Sequence, residues 1–172
     1  MPHVTIGVCG SVAAVRVPEL ARELRRRGVE VECVMTKSAK EIINPNVLEW
    51  ASENKVIDRL TGAVEHVRLC GIGGKTDLLL ICPATSNTIS KIACGIDDTP
   101  VTTFAATALG CGKKVAVVPA MHQSMYQNPF VRENLEKIRR AGAKILEPKI
   151  EENKAKLMEN DLIVEEVMKL LG

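Results

Sequence analysis

The run Leu78-Leu79-Leu80-Ile81-Cys82 constrains this chain more than any other stretch. It is apolar without interruption, so as a strand it must be covered on both faces, as the inner strands of parallel sheets are. It stops at Pro83 and gives way to Ala84-Thr85-Ser86-Asn87-Thr88, small and polar residues that lead into a helical pattern ending near Gly95. Ligands bind beyond the carboxyl ends of parallel strands. Thr85, Ser86, Asn87 and Thr88 are therefore expected to floor a pocket. Val115-Ala116-Val117-Val118 repeats the design: it is continuous, closed by Pro119, and followed by a polar segment from Ala120 to Tyr126.

The rest of the chain alternates in the same sense. Val4 to Cys9 and Glu30 to Met35 read as strands, and Ala13 to Arg27 and Pro45 to Ser52 as helices, with Trp50 expected to pack on the sheet. Val56-Ile57 gives a short strand. Asp97-Asp98-Thr99-Pro100 opens a helix through the small-residue segment Val101 to Leu109, and Asn128-Pro129 opens another that reaches Arg140. Lys144 to Leu146 forms a last strand and Asn160 to Leu171 a last helix. This order predicts an α/β fold, a Rossmann-like (flavodoxin-like) doubly wound parallel sheet in one domain over 1–172. The charged segment near 147–157 is expected to be a mobile flap.

Composition narrows the function. A length of 172 residues at 46% hydrophobic content is enough for one real core. Twenty-three basic side chains face twenty-one acidic ones, mixed along the chain with no basic stripe, so no nucleic-acid partner is expected. No apolar run approaches the ~18 residues that span a bilayer, and no leader pattern precedes the first strand, so a cytoplasmic protein without a membrane partner is expected. The six cysteines form no CxxC pair, which argues against a metal cluster and for reduced thiols. The aromatic residues are only Trp50, Phe104, Tyr126 and Phe130, so a planar ligand would rest largely on aliphatic side chains.

Two turns at the carboxyl edge of the sheet offer donors to an anion. Gly10-Ser11 joins the first strand to the first helix, and Thr36-Lys37-Ser38 follows the second strand. A strand, tight turn and helix present free N–H groups and the positive end of the helix dipole. A plain glycine turn and a plain N-cap serine are the competing readings, because the stretch lacks both the GxGxxG fingerprint and the P-loop lysine. His66 precedes a loop with Gly71, Gly73 and Gly74, where it either faces the pocket or caps a carbonyl as a half-exposed loop imidazole. His3, at the start of the first strand, is expected to be an ordinary half-exposed imidazole.

The segments GSVAA (10–14), TKS (36–38), EHVRL (65–69), PATSNT (83–88), GIDDTP (95–100) and PAMHQSMYQNP (119–129) resemble, in order and spacing, the homo-oligomeric flavin-containing cysteine decarboxylase family. The likeness is nearest to members that decarboxylate 4′-phosphopantothenoylcysteine on the way to coenzyme A. It implies FMN as cofactor, its phosphate held by Gly10, Ser11, Val12, Thr36, Lys37 and Ser38. Thr85, Ser86, Asn87 and Thr88 would touch the flavin, Ala120 would pack near its ring, and Thr102 or Thr103 would reach in from a neighbouring subunit. The implied partners are a phosphorylated, cysteine-bearing small molecule, further copies of the chain in a trimer or dodecamer, and a phosphopantothenate–cysteine ligase, separate or fused. Asn87, Met121, His122, Met125 and Lys154 would meet the substrate, with His66 and His122 as catalytic residues. An FMN electron-transfer or dihydropterin-reducing flavoprotein on the same fold is the alternative.

Two departures from the family pattern stand out. The usual PxMNxxMW motif places an Asn on the substrate carboxylate, and here His122 holds that position, with Tyr126 in place of the Trp. The family's flap cysteine, which protonates the enethiol product of decarboxylation, has no counterpart between Glu147 and Lys156. Glu151, Glu152, Lys154, Lys156 or His122 would have to serve as that acid.

Overall fold

The computed structural model describes residues 1–172. β1 (His3–Val8) ends in a 3-10 turn (Val12–Arg16) that leads into α1 (Val17–Arg26). β2 (Glu30–Met35) is followed by α2 (Lys37–Lys40), α3 (Pro45–Ser52) and α4 (Glu65–Cys70). β3 (Leu78–Ala84) runs into α5 (Ser86–Ala93) and α6 (Pro100–Gly110), and β4 (Lys114–Pro119) passes through the short β5 (Met121–His122) into α7 (Gln123–Tyr126) and α8 (Pro129–Arg140). β6 (Lys144–Ile145), β7 (Lys149–Glu151), β8 (Lys154–Lys156) and α9 (Asn160–Leu171) complete the order.

β1, β2, β3, β4 and β6 form one parallel sheet in the order β2-β1-β3-β4-β6. The uninterrupted apolar runs occupy its centre because both of their faces are buried. Leu78, Leu80 and Cys82 join a core cluster with Leu20 and Leu24 of α1, Leu48 of α3 and Val164 of α9. Leu79 and Ile81 join a second cluster on the other face, with Leu69 of α4, Phe104 of α6 and Leu135 of α8. The period of two along a strand sends alternate side chains to opposite layers. Burying a residue such as Phe104, which has no exposed surface, contributes about 1.5–3 kcal/mol. The expected doubly wound sheet is thus the observed one, and no helix is long and apolar enough to cross a membrane.

Three local expectations meet a different outcome. Trp50 does not pack on the sheet; it is 61% exposed, and the Arg22 guanidinium lies 4.4 Å above its ring. The strand at Val56-Ile57 is reduced to a single bridge between Val34 and Ile57, since loop geometry allows no longer pairing. Separately, the segment 147–157 contains an antiparallel β7–β8 hairpin, whose β8 also pairs with β5. Its two turn residues, Glu152 and Asn153, have φ of 52° and 59°, the left-handed pair that closes two-residue hairpins. His3 is not a half-exposed imidazole but a side chain only 3% exposed, covered because β1 lies inside the sheet between β2 and β3.

Beside His3, burial alone would raise the Glu32 carboxyl, but the His3 and Lys75 side chains hold it down to about 2. Glu32 is therefore an anion at neutral pH.

Candidate functional site

Three N-caps converge on one cavity. Thr36 accepts the Ala39 N–H at 3.1 Å, Thr85 accepts the Thr88 N–H at 3.2 Å, and Thr99 accepts the Thr102 N–H at 3.0 Å. Each cap fixes the first turn of a helix that begins where a strand leaves the sheet or a loop returns to it. The cavity, about 370 Å³, is lined by Gly10, Lys37, Ser38, Ser86, Asn87, Thr88, Lys91 and Met125 along with these caps. Lys37 and Lys91 line it and no carboxylate does; Lys91 is ion-paired with Asp98 at 2.8 Å, so Lys37 is the cation that favours an anion there. Because Thr36 provides the cap of α2, the Ser38 hydroxyl is not committed to that task. The N-cap reading of Ser38 falls, and the side chain stays open to the cavity.

Gly10 lets this cavity exist. A Cβ there would stand 2.5 Å from Cβ of Ser38 and 3.1 Å from its carbonyl carbon. Any side chain would push the turn after β1 away from the start of α2. The next residue, Ser11, accepts the Ala13 N–H at 3.2 Å and lines the adjoining cavity of about 460 Å³. Here the wall is largely apolar: Val12, Ala13, Val15, Ala120, Met121, Ala155 and Leu157, with Arg16, His122, Lys154, Lys156 and Glu159 at its polar parts. Adjacent residues of one turn, Gly10 and Ser11, thus line a polar, anion-favouring cavity and a largely aliphatic one, which suits a ligand with a phosphate end and an apolar body.

The hairpin and the first turn are tied together beside this cavity. Arg16 donates to the Leu157 carbonyl at 3.0 Å and to the Met158 carbonyl and the Asn160 side chain at 2.9 and 3.2 Å. Asn160 returns a bond from Nδ2 to the Arg16 carbonyl at 3.1 Å. The sequence pattern singles out neither Arg16 nor Lys91. Lys91 is in principle legible, one turn beyond Asn87 and Thr88 on the same helical face; Arg16, reaching across to Leu157, is not.

His122 caps α7: its Nδ1 accepts the Ser124 N–H at 3.2 Å. A backbone N–H can only donate, so in the neutral ring the proton sits on Nε2. His122 pairs with Lys154 across the β5–β8 ladder, and both line the apolar cavity. The two cationic or donor groups thus face one volume from adjacent strands. Met121 lies in the same wall, whereas Met125 lines the neighbouring anion cavity. Tyr126 is buried, hydrogen-bonded to Glu147 and overlaid by Arg132 at 4.7 Å.

Three candidates lie elsewhere. Thr102 cannot meet a neighbouring subunit as expected, because it is 1% exposed and its hydroxyl is consumed in a capping box with Thr99. Thr103 bonds to the Asp97 carbonyl at 2.9 Å at the start of the same helix. His66 lies on α4, half-buried, and lines neither cavity. Its Nδ1 is buried without a hydrogen-bond partner. Just before it Val64 is held at φ 46° and ψ 52°, a left-handed conformation that costs a β-branched residue about 1–3 kcal/mol. The buried thiols are passive: desolvation pushes Cys9 up to about 11 and raises Cys82 as well, so both stay protonated beneath the site.

The profile of the family described as Flavoprotein matches residues 1–172. A coenzyme A biosynthesis bifunctional protein, CoaBC, of Thermococcus kodakarensis is 48% identical over 169 residues, which cover 98% of this chain and 42% of that protein. The chain spans about two fifths of the length of the curated relatives it resembles. Among solved structures, the FMN-dependent cysteine decarboxylase SpaF superposes with a TM-score of 0.83 at 30% identity, over 100% of this chain and 98% of its own. A PPC decarboxylase mutant complexed with pantothenoylaminoethenethiol superposes with a TM-score of 0.82 at 25% identity, over 98% and 97%.

Proposed function

The chain belongs to the Flavoprotein family, and on that premise we propose that it is the FMN-dependent decarboxylase of 4′-phosphopantothenoylcysteine, forming 4′-phosphopantetheine in coenzyme A synthesis. One observation carries the reading: a cavity lined by three helix caps, Lys37 and no carboxylate lies at the carboxyl edge of the sheet, and a largely aliphatic cavity begins at the next residue of the same turn, Ser11. Gly10, Ser11, Thr36, Lys37, Ser38 and Thr85 to Thr88 would hold the cofactor's phosphate and ribityl chain, and Val12 and Ala120 would flank its ring. Bound FMN supplies the two-electron oxidation of the substrate's thiol carbon that makes loss of carbon dioxide feasible, and the later return of those electrons.

The chain's own residues supply the rest. The Nε2–H of His122 and the Lys154 ammonium form a pair of donors for the substrate carboxylate, fixed by the strand pairing that carries them. Either can deliver the proton that the missing flap cysteine gives in relatives. Glu151 and Glu152 are poorer candidates, because both are ion-paired with Lys156. Removing the donor with His122→Ala is expected to lower kcat/KM roughly 10- to 100-fold, the size of a lost hydrogen bond to a charged group. Unchanged steady-state kinetics would remove His122 from the site.

His66 takes part from a second copy of the chain. It lines neither cavity of its own subunit, yet its Nδ1 is orphaned and its backbone approach is strained, as suits a group positioned for a partner's site. The exposed apolar side chains Val64, Val67 and Ile72 near α4 provide surface for such an assembly. A trimer, or a dodecamer of trimers, is the proposed state, working with a phosphopantothenate–cysteine ligase.

Anaerobic incubation of the yellow protein with 4′-phosphopantothenoylcysteine tests the reaction directly. Stoichiometric carbon dioxide and a thiol product are expected. A flavin-loaded protein that releases none is instead the electron-transfer flavoprotein that the cysteine-free hairpin favours.

A further inference from the structure

A different cluster lies at the opposite end of the sheet. His3 opens β1 and Glu30 opens β2, and the parallel register sets His3 beside Glu30 and Thr5 beside Glu32. Residues in register, and residues two apart on a strand, project from one face, so the three side chains converge. His3 Nε2 lies 3.6 Å from a Glu32 carboxylate oxygen and 4.0 Å from one of Glu30. One donor atom from each of the three residues lies within 4.8 Å of the other two. His3 is only 3% exposed, and neither ring nitrogen has a partner at hydrogen-bond distance, Nε2 standing just beyond it from Glu32 at 3.6 Å. Buried polar atoms are rarely left so.

Lys75 already lies against this cluster, 2.5 Å from Glu32 and 3.2 Å from Glu30. It satisfies the carboxylates and leaves the imidazole unpartnered. The Lys75 ammonium could donate to an imidazole nitrogen but is spent on the two carboxylates here, whereas a metal ion accepts the imidazole lone pair and both carboxylates together. We infer that His3, Glu30 and Glu32 form a binding site for one divalent transition-metal ion of the zinc class, in competition with the Lys75 ammonium.

One imidazole nitrogen and two carboxylate oxygens are a zinc-type donor set. Ligand atoms about 2.0–2.2 Å from a tetrahedral zinc lie roughly 3.3–3.6 Å apart, so small side-chain rotations close the observed spacings. Lys75 and Arg68 are 42% and 52% exposed, free to withdraw into water as the dication enters. Glu32 and Arg68 also line an open cavity of about 570 Å³ with Asn54 and Asp58, which gives the ion a path inward. The fourth position is left to water. Such an ion would pin the amino ends of β1 and β2 to each other, a full strand length from the flavin cavities, so its binding is independent of the proposed reaction.

Zinc ion alone is the probe, added to the chelator-treated, flavin-loaded full chain and followed by calorimetry and by melting temperature. Cobalt substitution adds a visible band diagnostic of low coordination. One ion per chain is expected, with a melting temperature that rises with zinc concentration. His3→Gln and Glu30→Gln should each weaken binding roughly 100-fold or more, and Lys75→Met should tighten it by about 10-fold. Glu30 is 42% exposed, so its variant remains informative if His3→Gln fails to fold. Failure of both the parent and Lys75→Met to bind overturns the inference. So does equal affinity in Glu30→Gln, since the ion would then sit on other ligands such as His122 or Cys94.

Discussion

Gly10→Ala is expected to purify without flavin and to melt roughly 2–12 °C below the parent. The added Cβ meets Ser38 Cβ at 2.5 Å, and the contact is with a short side chain and backbone that cannot swing aside. Overpacking of this kind costs about 1–3 kcal/mol, which in a chain of this size moves the melting temperature by about 2–4 °C per kcal/mol. The larger consequence is local, because the displaced turn is the one proposed to hold the cofactor's phosphate. Gly62→Ala is the control, since a Cβ added there would meet nothing within 4 Å. A yellow, fully stable Gly10→Ala protein would show that the turn is not the phosphate cradle.

His66→Asn should have the opposite profile: flavin bound, spectrum unchanged, and carbon dioxide release reduced about 10²- to 10⁴-fold, the range for losing a general acid or base. The two variants then test where His66 acts. If it serves a neighbouring subunit's site, co-refolding equal amounts of His66→Asn and Gly10→Ala gives mixed oligomers in which roughly a quarter of the sites combine an intact cradle with an intact histidine. Activity should reappear on mixing. A mixture as inactive as its components would return His66 to its own subunit, and full activity in His66→Asn alone would make it a structural helix residue.

Most of the architecture could be read from the residues because the physics is local. Uninterrupted apolar runs demanded two-sided cover, and hydroxyl residues after β1, β2 and β3 marked helix starts. The hydroxyl and glycine residues that line the cavities came with that pattern, since in a parallel sheet every strand delivers its next turn to the same edge, whereas Arg16 and Lys91 did not. What escaped depends on contacts made far along the chain. Nothing in Trp50 itself says that Arg22 will cover it while α3 turns it outward, and nothing in Thr102 says that Thr99 will consume its hydroxyl. His3 looked terminal and therefore exposed; burial followed from the position of β1 between two neighbours. The β7–β8 hairpin did leave a trace, in the alternation Lys149-Ile150-Glu151 and Lys154-Ala155-Lys156 about an Asn-containing turn, but the density of charge concealed it.

The tie between Arg16 and Asn160 also sets an order of events during synthesis. The turn after β1 leaves the ribosome early, whereas the residue that fastens it follows 144 positions later. Closing so long a loop adds little in free energy, about 0.6 kcal/mol for each doubling of length, so the delay comes from sequence order. Until Leu157, Met158 and Asn160 have emerged, the nascent turn has Gly10 and Ser11 but not the brace that fastens the residues after them. The brace on this turn is accordingly completed only after every strand of the sheet has been made.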